Sequence, residues 1–350
     1  MKLRDQNILL ISPEPWDHIF VSKHHYARHL AERDNRVVFA NPAGDRWQLK
    51  DSGVAGLQVL DYPKFVKGLR KLPTWVSQRL IRHKLKQIEK HCDLTFDLIW
   101  SFDNSVFFDF TLLDTYNISH IVDLNQDFET AKAARTADIC LGNTSQIVER
   151  LQSHNPNTHF INHGLHLSDE QEAIDLQPVD GMKIGYCGNL DIPYLDWKTL
   201  EQAFAQLTDC TFYLAGKCER NQDKLQHPTV VYLGQLNASE MRSFYTEMDL
   251  LILCYLADDY PDQLANPHKF MEYLASGKPI VSSLTSTYVE LQEVQMCTTQ
   301  AEWLPLLQRT IAEYSAWSSS EMSDQRKAIA NDNTYEKQID RIENKINTHV

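Results

Sequence analysis

The sequence predicts an α/β protein of two Rossmann-like, doubly wound domains facing a cleft. Three observations carry this. Short strand-like runs alternate with helix-length segments. The alternation breaks once, over 166–181, and then begins again. The 350 residues are enough for about two domains, each with its own core.

The first domain is expected over 1–165. Asn7 to Ser12 has an unbroken apolar centre, as a strand covered on both faces should. A loop with Pro13, Pro15 and Trp16 follows, then a helix from about Lys23 to Arg33. Further strands are expected at Arg36–Ala40, Leu57–Leu60, Leu98–Ser101, His120–Leu124, Ile139–Gly142 and His159–Asn162. The linker, 166–181, is polar and acidic and holds Pro178 and Gly181. The second domain, 182–318, has strands expected at Met182–Cys187, Thr211–Ala215, Val230–Leu233, Leu250–Cys254 and Pro279–Ser283. Its helices are expected near Trp197–Leu207, Ala238–Met248, Pro267–Ala275 and Ala301–Tyr314. Residues 319–350 read as a charged helical tail able to pack back on the first domain. Sheets of this kind bind ligands at the carboxyl ends of their strands.

Composition narrows the function. The net charge is −13, which argues against nucleic acid as a partner. The excess is uneven: residues 1–170 carry net −1, whereas Lys64 to Lys90 holds nine basic residues and one acidic one, Glu89. The seven cysteines form no CxxC pair, so a disulfide framework or zinc site is not expected and a cytoplasmic setting fits. No apolar run approaches the roughly 18 residues of a membrane span. The N-terminal run reads as a strand, not a signal peptide. No GxGxxG follows Asn7–Ser12, which disfavours an NAD enzyme.

The most informative stretch is 266–283. Asn266 suits an N-cap, Pro267 the first helical position, Gly277 the left-handed stop, and Pro279 prevents continuation. Lys269 and Glu272, three apart, share a face, as do His268 and Glu272, four apart. A helix N-terminus with a lysine suits a diphosphate, and a carboxylate one turn on can accept ribose hydroxyls. Spacing alone equally admits an ordinary surface Lys–Glu pair.

The run Pro267-His-Lys-Phe-Met-Glu-Tyr-Leu-Ala-Ser-Gly-Lys-Pro-Ile-Val resembles the donor-site helix of GT-B fold glycosyltransferases of the retaining group 1 family. Lys183–Leu190, Phe212–Gly216, Val231–Gly234 and Asp249–Cys254 resemble the strands leading to it; His24–Pro42, Ala137–Ser145 and Asn162-His-Gly164 resemble segments of the family's first domain. The resemblance implies sugar transfer from a nucleotide-diphosphate sugar to a hydroxyl of a glycan or lipid-linked acceptor, with no metal or cofactor required. Carried over by position, Glu272 would bind the ribose, Lys269 would sit at the diphosphate, and the turn at Gly188 and Asn189 would let phosphate approach the backbone. Lys198 and Lys217 are further donor-side candidates, each equally readable as a solvated lysine. His24 and His25 could touch phosphate or acceptor, or be helix-packing residues.

Three positions depart from the family pattern. A second glutamate, eight before the ribose-binding one, is Leu264 here. The first loop lacks a glycine pair. Where a histidine often follows the His120–Leu124 strand, Asp127 or Asn125 stands, as in a subfamily resembling teichuronic acid and exopolysaccharide transferases; Asp127 also suits a helix N-cap. Asp258, Asp259 and Asp262 read as a solvated turn.

Between Trp75 and Cys92, Ile81, Leu85 and Ile88 fall on one helix face and Arg79, Arg82, Lys86 and Lys90 on another. Such a stripe can lie on an anionic membrane, or be merely solvated. The combined expectation is a cytoplasmic or membrane-peripheral glycosyltransferase of surface polysaccharide synthesis. A nucleotide-sugar epimerase and a non-catalytic nucleotide-sugar-binding protein are the alternatives.

Overall fold

The computed structural model describes residues 1–123, 128–166, 171–176 and 179–348. Asn125 and Asp127 lie outside the described residues. The chain divides into two units, Met1–Gly164 with Thr334–Val350, and Leu165–Asn333.

In the first unit the elements run β1 (Asn7–Ile11), α1 (Ser22–Ala31), β2 (Arg36–Ala40), β3 (Gln48–Asp51), β4 (Leu57–Asp61), α2 (Thr74–Cys92), β5 (Leu98–Ser101), β6 (Tyr116–Ile121), α3 (Thr130–Thr136), β7 (Ile139–Gly142), α4 (Ser145–Gln152) and β8 (Thr158–Phe160). They build a sheet of order β3-β4-β2-β1-β5-β6-β7-β8, parallel except that β3 runs antiparallel to β4. Ile8 and Leu10 belong to one core cluster and Leu9 and Ile11 to the other. The apolar run of β1 thus follows from burial on both faces.

The second unit holds β9 (Met182–Cys187), α5 (Trp197–Gln206), β10 (Cys210–Ala215), β11 (Val230–Gly234), α6 (Ala238–Glu247), β12 (Leu250–Leu253), α7 (Lys269–Ser276), β13 (Ile280–Ser282), β14 (Gln295–Met296), α8 (Trp303–Ala312), α9 (Tyr314–Trp317) and α10 (Ser320–Asp332). Its sheet, β11-β10-β9-β12-β13-β14, is parallel throughout. Strand order reverses at β9, flanked by β10 and β12, so the carboxyl end of β9 is a topological switch point.

The expected tail is divided. α10 packs on α7 within the second unit, whereas the last helix, α11 (Tyr335–Thr348), packs on α1 in the first. Tyr335 lies against Gly164, where any Cβ would meet its ring at 2.4 Å. Three strands differ from expectation. β3 and β14 were not expected, and β6 begins four residues before His120.

Candidate functional site

In the second unit, β9 and β10 end in glycines that touch. Gly188 N–H donates to Ala215 O at 2.8 Å, and Gly216 N–H to Gly234 O at 2.6 Å. Gly216 adopts φ +130°, and a Cβ there would lie 1.9 Å from Gly188 O. Only glycine fits that approach. A Cβ on Gly188 would meet Lys269 Cε at 2.6 Å and Tyr186 Oη at 2.7 Å. The Lys269 side chain therefore runs across the bare backbone at the end of β9.

α7 is fixed over this turn by two tyrosines. Tyr273, fully buried, accepts the Cys187 N–H at 3.1 Å. Tyr245 of α6 donates to Glu272 Oε2 at 2.5 Å. Burial, with the Glu272 carboxylate beside it, holds the Tyr245 phenol well above the usual tyrosine range, so it remains a donor. The other oxygen, Oε1, has no hydrogen-bond partner among the described residues. Glu272 is half-buried. Burial pushes the Cys187 thiol up to about 12, while the nearby Lys269 ammonium pulls it the other way. The ammonium of Lys269 has no carboxylate partner among the described residues. The positive end of α7, a lysine and an available carboxylate oxygen together suit an anion carrying hydroxyl groups one helical turn away.

Both ends of α7 are held from a distance. Gly277, at φ +73°, ends it as expected. Buried Arg326 of α10 donates from Nε to Gly277 O at 3.1 Å, and from its other nitrogens to Glu293 O and Trp317 O. At the start, Asn266 is not the N-cap. α7 begins at Lys269 behind His268, and Asn266 Oδ1 instead accepts the Tyr288 hydroxyl at 2.6 Å, with Tyr288 stacked on Phe270 at 4.2 Å. Pro267 O accepts the Phe270 N–H, so it begins the turn before the helix. His268 is exposed.

The remaining donor-side candidates are dispersed. Asn189 Oδ1 accepts the Asp191 N–H at 2.9 Å, closing an Asx turn. Asp191 in turn takes the N–H groups of Glu219 and Arg220, which holds its carboxyl below the usual range. Lys217 is exposed and pairs with Glu219 at 3.1 Å. Lys198 is exposed on the first turn of α5, and no hydrogen bond or ion pair ties it to α7. Leu264 is buried in the core, so the position of the absent second glutamate is packing surface.

In the first unit, His24 is a packing residue. Its Nδ1 accepts the Val21 N–H, its Nε2 donates to Pro15 O at 3.0 Å, and its ring stacks on Phe39. That leaves no ring nitrogen for a ligand, and burial holds its pKa below the usual histidine value. His25 is half-buried and stacks on Tyr335 at 4.9 Å. Next to His24, Lys23 is almost fully buried and pairs with Glu14 at 2.5 Å. Asp127, considered as a cap, lies outside the described residues; α3 is capped by Glu129 without a side-chain bond.

On α2, Ile81, Leu85 and Ile88 are buried while Arg79, Arg82, Lys86 and Lys90 are exposed. Two of the four are compensated, Arg82 by Asp114 at 3.5 Å and Lys86 by Glu89 at 2.8 Å. Arg79 lies over the Trp75 ring at 5.2 Å. No helix among the described residues is long and apolar enough to cross a membrane, and no group of three His, Cys, Asp or Glu among them could hold a metal ion.

Sequence reasoning missed Tyr245, Tyr273, Gly216 and Arg326. A strand-then-glycine pattern marks Gly216, but nothing local marks the other three.

Residues 181–301 match the family described as group 1 glycosyl transferases. A Bacillus subtilis (strain 168) protein, TuaH, described as a teichuronic acid biosynthesis glycosyltransferase, is 29% identical over 154 residues, 41% of this chain and 38% of its own length. The match thus spans well under half of that relative. The fold resembles sucrose-phosphate synthase of Thermosynechococcus elongatus (TM-score 0.73, 14% identity, 98% of this chain and 99% of that one). It also resembles Anabaena Alr3699/HepE, solved with UDP and glucose (TM-score 0.66, 15% identity, 96% and 99%). The architecture is GT-B, and residues 181–301 are similar to the group 1 glycosyl transferases.

Proposed function

We propose that this GT-B relative of the group 1 glycosyl transferases moves a sugar from a nucleotide-diphosphate sugar to a hydroxyl of a glycan or lipid-linked acceptor in surface polysaccharide synthesis. The observation that carries the reading is the placement of Lys269 across Gly188, one turn from a Glu272 held by Tyr245. Glu272 Oε1 accepts a ribose hydroxyl. The bare peptides at Gly188 and Gly216 admit the diphosphate. Lys269 and the positive end of α7 offset the negative charge that grows on the departing nucleotide as the glycosidic bond breaks. These groups stabilise the leaving group without a metal. Retention of anomeric configuration is part of the same reading and rests on the family resemblance. Asp127 remains a candidate catalytic residue, Asn125 a candidate for the acceptor side, and Lys198 and Lys217 candidates for the donor side.

A thermal-shift panel of UDP-, GDP- and dTDP-sugars tests this, and the dTDP-sugars, whose deoxyribose lacks the 2′-hydroxyl, should give the smallest shift if Glu272 takes the ribose. A ligand at 100 times its Kd should stabilise the fold by ~2.7 kcal/mol. Glu272→Ala and Lys269→Ala should abolish that shift and sugar transfer together; wild-type activity in both would remove the assignment. Nucleotide-sugar binding without turnover on any acceptor would point to a non-catalytic binding protein, in keeping with the buried Leu264.

The exposed stripe of α2 supports peripheral attachment to an anionic inner membrane face, where each free basic group adds ~1 kcal/mol. Because Arg82 and Lys86 are paired, Arg79→Ala with Lys90→Ala should remove most co-sedimentation with phosphatidylserine vesicles.

A further inference from the structure

The first unit contains a cavity of about 960 Å³ to which no role has been given. It opens at the carboxyl ends of β1, β2 and β5, beside Pro13, Pro42 and Asp103, the edge of such a sheet where ligands bind. One wall is the 64–71 loop, with Lys64, Arg70 and Lys71. Gly68 turns this loop back at φ +79°. The rest of the lining includes Asp103, Glu129 and Phe128.

The charges of the lining differ in how they are satisfied. Lys64 pairs at 3.4 Å with Asp45, which is not among the lining residues. Arg70 and Lys71 have no carboxylate partner among the described residues, and Arg70 lies over the Phe128 ring at 4.9 Å. Asp103 is buried and spends Oδ1 on the Ser105 N–H at 2.7 Å. Phe128 and Val66 are more than half exposed.

Each simple ligand class leaves part of this lining unanswered. A neutral apolar molecule would face two unpaired cations and two carboxylates. A polyanion such as nucleic acid would be repelled by Asp103 and Glu129. A neutral sugar would use the carboxylates, which accept hydroxyl hydrogen bonds, but not the cations. We infer that this cavity binds an acidic saccharide, with its carboxylate or phosphate on Arg70 and Lys71, its hydroxyls on Asp103 and Glu129, and a ring face against Phe128. That such a ligand is the acceptor rests on the glycosyltransferase reading; that it binds does not.

Calorimetry on the full chain tests this with four probes: hyaluronan tetrasaccharide for carboxylate, glucose 1-phosphate for phosphate, neutral chitotetraose, and inorganic phosphate. At least one acidic saccharide should bind tenfold or more tighter than chitotetraose. An Arg70→Ala/Lys71→Ala variant, altered only at exposed side chains, should weaken that binding by about tenfold. UDP affinity should stay unchanged in the variant. Equal binding of chitotetraose, binding of inorganic phosphate as tight as the saccharides, no binding of either acid, or an unaffected double variant would each overturn the inference. If an acidic saccharide binds as expected while no nucleotide binds, the cavity assignment stands and the glycosyltransferase reading fails.

Discussion

The phenol of Tyr245, on α6, donates a hydrogen bond to Glu272 Oε2, on α7. Both rings of the Tyr245–Tyr273 pair are buried and meet edge to face at 5.3 Å, so the donor cannot turn away. A hydrogen bond to a charged partner contributes about 1.5–3 kcal/mol. Its consequence here is directional: one oxygen is committed and the other is presented.

Tyr245→Phe keeps the ring and removes the donor. Nucleotide affinity should fall by about tenfold, because the carboxylate is no longer held in the pose it needs to bind ribose. Glu272→Ala should go further and lose the preference for a ribonucleotide over its 2′-deoxy form. Calorimetric titration of both nucleotides against both variants checks this. A Glu272→Ala protein that still prefers the ribonucleotide would disprove the ribose assignment.

The close approach of Gly216 to Gly188 O predicts a sharp contrast between two glycines. Gly216→Ala combines a left-handed backbone with a Cβ at 1.9 Å from a carbonyl oxygen that belongs to the phosphate turn. It should lose about 3 kcal/mol of stability and nucleotide binding with it. Gly234 is also left-handed, at φ +72°, but a Cβ there meets nothing within 4 Å. Gly234→Ala should lose only about 1 kcal/mol and retain binding. Urea midpoints and the same titration separate the two.

Much of the second unit was legible because its strands are continuous apolar runs: Met182–Cys187 was read to the residue. β6 was placed late because its buried positions include Asn117, Ser119 and His120, whose polarity hides a strand. The burial of Asn117 and His120 is made possible by partners far along the chain. Asp138 accepts from Asn117, and His120 Nδ1 accepts from Trp100 Nε1. β3 is a half-exposed edge strand with one apolar residue, Leu49, and so carries no alternation. In the site, the shared face of Lys269 and Glu272 was legible from local spacing, while their reading as a donor site, and that of Gly188, came from the family resemblance. Tyr245 and Arg326 were not, since each acts through a contact with a partner 27 or 49 positions away. Asn266 was misread for the same reason: Tyr288, 22 residues on, takes the side chain that local rules assign to a cap.

His120 gives a pH prediction. It is fully buried, and burial first, then the neighbouring His163 and Lys23, bring its pKa down to about 3 from 6.5. The unfolded chain therefore binds a proton between pH 6.5 and 3 that the folded one does not. Stability is complete above pH 6.5 and falls as pH drops through that window. At pH 4.5 the loss should be about 3 kcal/mol. His120→Gln retains an acceptor for Trp100 Nε1 and should flatten the decline, as seen in urea unfolding at pH 7 and 4.5. Parallel declines in both proteins would show that other groups dominate acid unfolding.

Arg326 ties the tail to the candidate donor helix. Its guanidinium, fully buried on α10, serves the carbonyls of Gly277, Glu293 and Trp317, which belong to the end of α7 and two other segments of the same unit. Arg326→Leu fills most of the volume but leaves three carbonyls, that of Gly277 buried and those of Glu293 and Trp317 partly so, without that donor. Each unsatisfied group costs about 1–3 kcal/mol, so a loss of at least about 3 kcal/mol is expected. Lysine cannot reach three divergent acceptors with one point charge, so Arg326→Lys should recover only part of it. If the contact also fixes α7, nucleotide affinity of the folded variants should fall with their stability, although Arg326 has no hydrogen bond to Lys269 or Glu272. Unfolding curves and titrations at a temperature where both variants stay folded decide this: reduced stability with unchanged affinity would confine Arg326 to holding α10 in place.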